Sequence, residues 1–276
     1  AGLPPQVGLY ASMTPLIAYA IFGTSNTLAV GPVAVVSLMT ASAVGRIAET
    51  GGPDYIIAAA ALALITGIIL LALGLMRLGF LANFLSHPII AGFITASGVL
   101  IAASQLKHVL GVPAHGENLI AILQSLTSHA EQTNPVTLAI GAGTILFLFL
   151  TRTYLQKLLR KAGLGEKLAS AIAKAGPLLA VIGATALTAA FHLEANGVAI
   201  VGDIPSGLPP IAIPQLDTSL WRDLAGAAFL IAIIGYVETV SVAQTLAAKR
   251  RERIDLDQEL IGLGTSNIAA GVSGGF

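Results

Sequence analysis

The feature that most constrains this chain is a run of 22 residues, Tyr55 to Met76, without a charged side chain. A helix of about 20 apolar residues crosses the hydrocarbon core of a bilayer, so this run predicts a transmembrane helix. The whole chain has the same character, because only 10% of its 276 residues are charged, against about 25% in soluble domains. With 55% hydrophobic residues and a mean hydropathy of +0.85, it is predicted to be an all-α polytopic membrane protein.

Further apolar stretches alternate with polar or glycine-rich loops, which predicts several spans. Two loops contain helical patterns of their own. In the loop 107–134, four apolar residues between Leu119 and Leu126 share one helical face and predict a helix that rests on the membrane surface. Between Leu155 and Ala162, leucines alternate with basic residues, as in an interfacial amphipathic helix. In addition to a short helix after Pro32, the predicted spans are Val7–Phe22, Tyr55–Met76, Asn83–Gln105, Pro135–Leu150, Pro177–Phe191, one within Trp221–Ala248, and Leu260–Val272.

The basic residues are distributed unevenly among the loops. When the loops are assigned alternately to the two sides of a membrane, 11 of the 14 Lys and Arg residues lie on one side. Cytoplasmic loops carry such an excess of positive charge. The basic loop 151–175 and the charged loop 249–259 are therefore predicted to be cytoplasmic. The net charge is zero, so no nucleic-acid partner is predicted.

A break at Gly31-Pro32 separates the extended run Thr27–Val30 from an apolar helix of about 15 residues, which would cover only about two-thirds of a bilayer core. With Pro32 at its first position, the free N–H groups and the dipole of this helix would form an anion site that needs no charged side chain. This segment alone also fits a transmembrane helix with a proline at its interfacial end. The candidate substrate-binding residues are Gly31, Val33, Ala34 and Val35.

One acidic residue, Glu238, lies in the stretch 224–248, which contains no other charge. A carboxyl group at membrane depth is costly and points to function. Because burial disfavours its charged form, Glu238 is predicted to take up and release a proton during transport. The alternative is a structural acid that is tied to a basic or polar partner. The residues expected to line the same cavity are Gly235, Thr239 and Ser241, although back-bonding to the helix is the commoner state of such hydroxyls.

The residue types needed for several other functions are missing. Without any cysteine, the chain has no disulfide, thiolate metal site or cysteine nucleophile. The five histidines are assigned to span ends or loops, and their spacing predicts no metal site. The glycines include no GxxxxGK[ST] phosphate loop, so nothing indicates ATP hydrolysis. The chain is predicted to be no enzyme and to need no cofactor.

Five stretches together resemble the sulfate permease family, the SulP or SLC26 anion transporters. They follow the family order over nearly the whole chain and include both the Gly31-Pro32 break and the helix with Glu238. The resemblance implies a domain of about fourteen spans in two inverted repeats of seven, with discontinuous helices preceded by short strands. The stretches are AGLPPQVGLYAS (1–12), GTSNTLAVGPVAVVSLM (23–39), FLSHPIIAGFITASGVLIAASQLKHVLGV (84–112), VGDIPSGLP (201–209) and IGYVETVSVAQTLAAKRRERIDLDQELIGLGTSNIAAG (234–271).

The resemblance also implies a place for the site. In this family anions bind between the facing N-termini of the third and tenth helices, and the third matches the element at Gly31. The chain is expected to hold the end of the first span through the ninth, so the tenth-helix half of the site and the family's STAS domain would lie outside it. Residues 1–76 and 197–276 are expected to form a core domain that carries substrate, and 77–196 a gate domain. The resemblance also implies that the full-length protein is a homodimer. It would lie in a cell membrane, here a bacterial inner membrane.

The coupling ion follows from two positions in the resemblance. Glu238 matches the family acid on the eighth span, which is tied to proton coupling in plant-like and bacterial sulfate carriers. Sodium-coupled bicarbonate relatives have an aspartate there and a threonine four residues later. Position 242 is valine here, and its side chain cannot ligate sodium. The resemblance therefore favours protons.

The sequence thus predicts a secondary active transporter of sulfate, or of a related oxyanion or carboxylate, that is coupled to protons. Its partners would be a small anion, protons and the lipid bilayer. The alternatives are a bicarbonate or dicarboxylate transporter, or an anion channel or exchanger on the same fold. A channel would need no proton cycle at Glu238. A membrane subunit without transport is disfavoured, because a buried acid and an exposed helix N-terminus are costly if unused.

Overall fold

A computed structural model describes residues 2–49, 51–84, 87–114, 116, 118–202, 209, 211 and 217–276. These residues form α-helices joined by loops and short 3₁₀ turns, which confirms the all-α prediction, and none of them is in a β-strand. Parts of two family-like stretches, residues 85–86 and 203–208, lie outside the described residues, as does His115. The helices are α1 (Pro5–Tyr10), α2 (Thr14–Phe22), α3 (Ala34–Val44), α4 (Pro53–Leu75), α5 (His87–Leu110), α6 (Leu119–Ser128), α7 (Pro135–Leu150), α8 (Gln156–Lys161), α9 (Glu166–Lys174), α10 (Gly176–Ala190), α11 (Thr218–Arg250) and α12 (Leu256–Val272).

The chain forms two compact units. The first comprises Ala1–Ile101 and Asp203–Phe276, and the second Ala102–Gly202. The predicted core and gate domains divide the chain elsewhere, after residues 76 and 196, and that division stays a prediction.

Among the described residues, three helices are long and apolar enough to cross a membrane. They are α4, the continuous helix Pro135–Lys161, and α11. A fourth span results if α9 and α10, which meet at a bend of 47°, are counted together. By length and composition the chain is therefore a membrane protein, as predicted.

Helix α4 lies at the centre of the first unit. More than half of its residues are buried, and it packs against α12, α11 and α3. This explains its uninterrupted apolar sequence, since a helix that is covered on most sides has no polar face. Tyr55, Leu62 and Leu224 of α11 are among the largest fully buried side chains of this core.

Glycines let α4 and α12 approach until their backbones touch. A Cβ added to Gly67 would stand 2.7 Å from the carbonyl oxygen of Gly264. One added to Gly271 would stand 2.8 Å from a backbone oxygen of α4, and one added to Gly74 would stand 3.0 Å from a backbone nitrogen of α12. Small residues commonly allow such close packing between helices in membranes. We call this contact the glycine seam.

The predicted first span, Val7–Phe22, is wrong as a single helix. Residues 11–13 form a turn between α1 and α2. Pro15 explains the break, because a proline inside a helix would clash with the carbonyl of Ala11 four residues earlier. In the first turn of α2 the same proline is tolerated, since the N–H that it lacks has no helical partner there.

The predicted charged loop 249–259 is too long at both ends. α11 continues to Arg250, and α12 begins at Leu256. The Asp255 side chain caps α12 by accepting hydrogen bonds from the backbone N–H groups of Asp257, at 2.9 Å, and Gln258, at 3.1 Å. Acidic residues stabilise the first turn of a helix, so the charge that suggested a loop marks a helix start.

The second unit contains one further correction. The predicted interfacial helix Leu155–Ala162 is not separate, because a π-helical turn, Thr151–Leu155, joins α7 directly to α8. The predicted helix in the loop 107–134 is confirmed as α6, with Ile122 and Leu126 buried. The predicted span at 135–150 coincides with α7, and α5 begins four residues later than the predicted span at 83–105.

Candidate functional site

The first unit encloses a cavity of about 390 Å³. Its walls come from the segment 28–33, from α3 and α4, and from α11 and α12, and Ala11, Pro15 and Phe276 complete the lining. Most lining residues are apolar. The polar side chains among them are Thr40, Thr66, Glu238, Thr239, Ser266 and Asn267.

The helix at the predicted anion site starts later than expected. α3 begins at Ala34, and Val33 precedes it with an extended backbone (φ −103°, ψ 140°). Pro32 is therefore not the first helical residue, and that prediction is wrong. A β-branched residue such as Val33 favours extended backbone, and no side chain caps the helix to draw the start forward. The helix is also shorter than predicted, with 11 residues.

The start of α3 nevertheless leaves backbone donors free. Within the described part of the chain, the N–H groups of Ala34, Val35 and Val36 donate to no acceptor. The positive end of the helix dipole lies at the same place. Of the four predicted substrate-binding residues, Gly31 and Val33 line the cavity, while Ala34 and Val35 are not among its lining residues. Val36, which the sequence did not indicate, does line it.

Glu238 lies on the α11 wall of the cavity and is half-buried. Its Oε2 atom is buried and has no hydrogen-bond partner among the residues that the structure describes. No Lys, Arg or His nitrogen of those residues lies within 4.0 Å of its carboxyl group. A structural acid would be held by such partners. The structure therefore gives no sign that Glu238 is held as a structural acid among the described residues.

The three residues predicted to accompany Glu238 divide into two sets. Gly235 and Thr239 line the cavity, and a Cβ on Gly235 would lie 3.8 Å from a methyl group of Val36, so α11 runs close to α3 here. Ser241 is buried but is not among the lining residues, and its hydroxyl donates to the carbonyl of Val237 at 2.5 Å. This is the back-bonded state that helical serines often adopt.

Sequence reasoning missed the polar side chains that α3, α4 and α12 contribute. Thr66 is the only Ser or Thr in the apolar run of α4, which is a signal that could have been used. Ser266 and Asn267 belong to α12, and only the fold brings them to the same cavity as Glu238. Thr40 lies one and a half turns into α3.

A second acid, Glu259, was placed in a loop by the sequence but is completely buried. Its Oε2 accepts a hydrogen bond from the Tyr19 hydroxyl at 2.7 Å. Its Oε1 accepts one from the backbone N–H of Thr24 at 2.9 Å and another from the Thr24 hydroxyl. Glu259 therefore ties the start of α12 to the end of α2 and to the loop that leads to the cavity segment 28–33, and it does not line the cavity itself.

The chain is similar to several transporters of known sequence. It is 36% identical to "Sulfate transporter 4.1, chloroplastic" of Arabidopsis thaliana over 269 residues, which are 97% of this chain and 38% of that protein. It is 35% identical to a "Probable sulfate transporter" of Mycobacterium tuberculosis over 276 residues, which are 100% of this chain and 46% of that protein. It thus spans less than half the length of these curated relatives.

Solved structures share the fold. The structure of SLC26A9 matches with a TM-score of 0.83 and 29% identity, over 99% of this chain and 44% of that one. The transmembrane domain of the cyanobacterial bicarbonate transporter BicA matches with a TM-score of 0.74, over 99% of this chain and 66% of that one. Its identity of 19% supports the fold alone. The model of the sulfate permease family matches residues 1–276, and the chain belongs to that family.

Proposed function

We propose that this chain is part of a secondary active transporter that moves sulfate, or a related oxyanion or carboxylate, together with protons, and that it is no enzyme. The observation that carries the proposal is a single cavity lined both by Val33 and Val36, which flank the start of α3, and by Glu238, whose Oε2 atom has no hydrogen-bond partner among the described residues. Relatives named as sulfate transporters support sulfate as the first anion to test. An integral membrane location follows from the family and from the spans.

Anion binding would use the cavity segment and the start of α3. Gly31 and Val33 are small enough to leave the cavity open in front of the helix, and a Cβ on Gly31 would meet no atom within 4 Å. The free N–H groups and the dipole would hold the anion. In this proposal the binding energy comes from backbone donors, since the cavity is lined by no basic side chain among the described residues.

Proton coupling would use Glu238. An anion that enters a cavity beside an ionised carboxylate is repelled, and protonation of Glu238 removes that repulsion. By linkage, proton and anion then favour each other's binding and are loaded and released together. Val242 lines the same cavity and its side chain offers no oxygen ligand, which supports protons over sodium as the coupling ion.

The remaining features are proposed from the family resemblance. Residues 1–76 and 197–276 would move the substrate against the gate formed by 77–196. The full-length protein would be a homodimer in a bacterial inner membrane, with loops 151–175 and 249–259 in the cytoplasm.

The test is uptake of labelled sulfate into liposomes that contain the protein expressed at its full natural length, with an acidic outside. Wild type should concentrate sulfate under the pH gradient. Glu238→Gln copies the protonated state, so it should bind sulfate, lose the pH dependence of uptake and fail to concentrate the anion. Exchange of sulfate for sulfate should survive, because that half-cycle moves no net proton.

Glu131→Gln provides the matched control, since it makes the same substitution at an exposed position in the second unit. It should behave as wild type. If Glu238→Gln also concentrates sulfate as wild type does, Glu238 is not the coupling group. If wild type equilibrates sulfate without concentrating it under any gradient, the protein is a channel or exchanger instead.

A further inference from the structure

One hydroxyl group of α4, at a residue that lines the cavity, has no hydrogen-bond partner among the residues that the structure describes. Thr66 is 2% exposed, lines the cavity, and its Oγ1 makes no hydrogen bond within the described part of the chain. A buried hydroxyl that makes no hydrogen bond costs on the order of 1–3 kcal/mol. Nearly all buried polar groups are therefore satisfied by protein, by water or by a ligand.

Other hydroxyl groups of this fold make the hydrogen bonds to backbone carbonyls that Thr66 does not make. Threonines in helices usually donate to the carbonyl one turn earlier, as Thr245 does to Ser241 at 2.8 Å. Ser266 lines the same cavity as Thr66 and is as deeply buried, with 3% exposure. Its hydroxyl is already used, because it lies 3.0 Å from the carbonyl of Pro15 and 2.8 Å from that of Gly262. Thr66 differs from both in keeping its donor free.

The surroundings of Thr66 suggest which group accepts a hydrogen bond from its hydroxyl. The other α4 residues that line the cavity are Ala59, Leu62, Ala63 and Leu70, which carry no polar side-chain atom. A trapped water needs two to four polar partners, so a water beside Thr66 would also have to reach the polar side chains that α3, α11 and α12 contribute to the cavity. An oxyanion has several acceptor oxygens and needs only donors, so it can satisfy the hydroxyl while the α3 helix start holds its other side.

We propose that Thr66 is a specificity-determining residue that donates a hydrogen bond to the transported anion and selects tetrahedral oxyanions over monatomic halides. This rests on the proposed function. A tetrahedral oxyanion directs oxygens towards α3 and towards α4 at once, whereas a halide settles at the α3 helix start, where the dipole is strongest. The hydroxyl thus adds to sulfate binding and little to chloride binding.

The test compares Thr66→Val, which keeps the shape and removes the hydroxyl, with Thr66→Ser, which keeps the hydroxyl. In the full-length protein in liposomes, Thr66→Val should raise the KM for sulfate about tenfold, the loss expected for one hydrogen bond to a charged acceptor. The constant for inhibition by chloride should change less than about twofold, because the chloride position does not use this donor. Thr66→Ser should bring the sulfate KM back to within about threefold of wild type.

Thr245→Val is the matched control, because it makes the same substitution on α11 at a residue that does not line the cavity. It should leave both constants unchanged. Should Thr66→Val fail to fold, Thr66→Ala gives the same comparison without the bulk of two methyl groups. An unchanged ratio of sulfate to chloride affinity in a folded Thr66→Val or Thr66→Ala overturns the inference. Wild type that takes up no oxyanion overturns the proposed function, and this inference with it.

Discussion

Two carboxyl groups on neighbouring helices of the first unit have opposite surroundings. Glu259, in the first turn of α12, is completely buried, and the Tyr19 and Thr24 donors hold both of its oxygens. Glu238, in α11, is only half-buried and lines the cavity, yet its Oε2 atom has no hydrogen-bond partner among the described residues. The more buried acid is thus the better satisfied one. Depth of burial identifies a costly group, and the partners decide whether it is structural or free to act.

The difference has a simple physical basis. Hydrogen bonds to a charged acceptor contribute about 1.5–3 kcal/mol each and favour the ionised carboxylate. Glu259 receives three donors, and these hydrogen bonds join three parts of the chain. Glu238 has no such network at Oε2 among the described residues. This contrast is why we propose Glu238, and not Glu259, as the group that takes up and releases a proton.

The largest effect that follows from this comparison is on folding. Glu259→Gln replaces an acceptor by an amide whose NH₂ group faces the donors of Tyr19 or Thr24. We expect it to lower the free energy of unfolding by about 3 kcal/mol. Glu238→Gln should lower it by less than about 1 kcal/mol, since no partner is lost.

Denaturant titration of both full-length variants in detergent, each compared with wild type, measures the two values. Equal losses of stability in Glu259→Gln and Glu238→Gln would remove the distinction between a structural and a functional acid. Transport assays on the same samples add a second test of this distinction. Glu238→Gln should be stable, but its sulfate uptake should no longer depend on the pH gradient.

A smaller effect is expected from Tyr19→Phe, which removes one donor to Glu259 and keeps the ring. Tyr19 is 3% exposed, so the carboxyl oxygen that loses this hydrogen bond cannot reach water. We expect a loss of about 1–2 kcal/mol in the free energy of unfolding. In the double variant with Glu259→Gln, the two losses should not add, because both remove the same contact. Additive losses would show that Tyr19 acts through something other than Glu259.

The smallest effect is expected at the residue next to Glu259. The Gln258 side chain donates to the carbonyl of Phe22 at 2.6 Å, but this contact is exposed to solvent. Water can replace the donor, so Gln258→Ala should cost no more than about 0.5 kcal/mol of the free energy of unfolding. The same titration measures it. A loss as large as that of Tyr19→Phe would mean that the contact between Gln258 and Phe22 stabilises the fold as much as a hydrogen bond to the buried carboxylate of Glu259.

The sequence predicted the parts of this molecule that depend on local pattern. The apolar run of α4 and the bounds of α7 were found because a long uncharged stretch has few other solutions. Gly31, Val33, Gly235, Glu238 and Thr239, which the sequence and the family resemblance singled out, all line one cavity, and their roles in transport stay predictions.

The rest depends on contacts between distant parts of the chain. Glu259 looked like a loop residue because its neighbours are charged, and its partners Tyr19 and Thr24 are 240 and 235 residues away. Thr66 looked like one polar residue in an apolar span, and only the packing of α4 against α12 and α11 places it among the residues that line the cavity. No local pattern contains that information.

The glycine seam limits how the cavity can change shape. Gly67 and Gly74 are seven residues apart on α4, as are Gly264 and Gly271 on α12. If one helix slid past the other by a single turn, Gly67 and Gly264 would no longer face each other, and bulkier residues would be brought against the opposite backbone. We therefore expect α4 and α12 to keep their register and to move together as one rigid body. We therefore expect opening or closing of the cavity to come from its other walls, chiefly α3, α11 and the segment 28–33, moving relative to this helix pair.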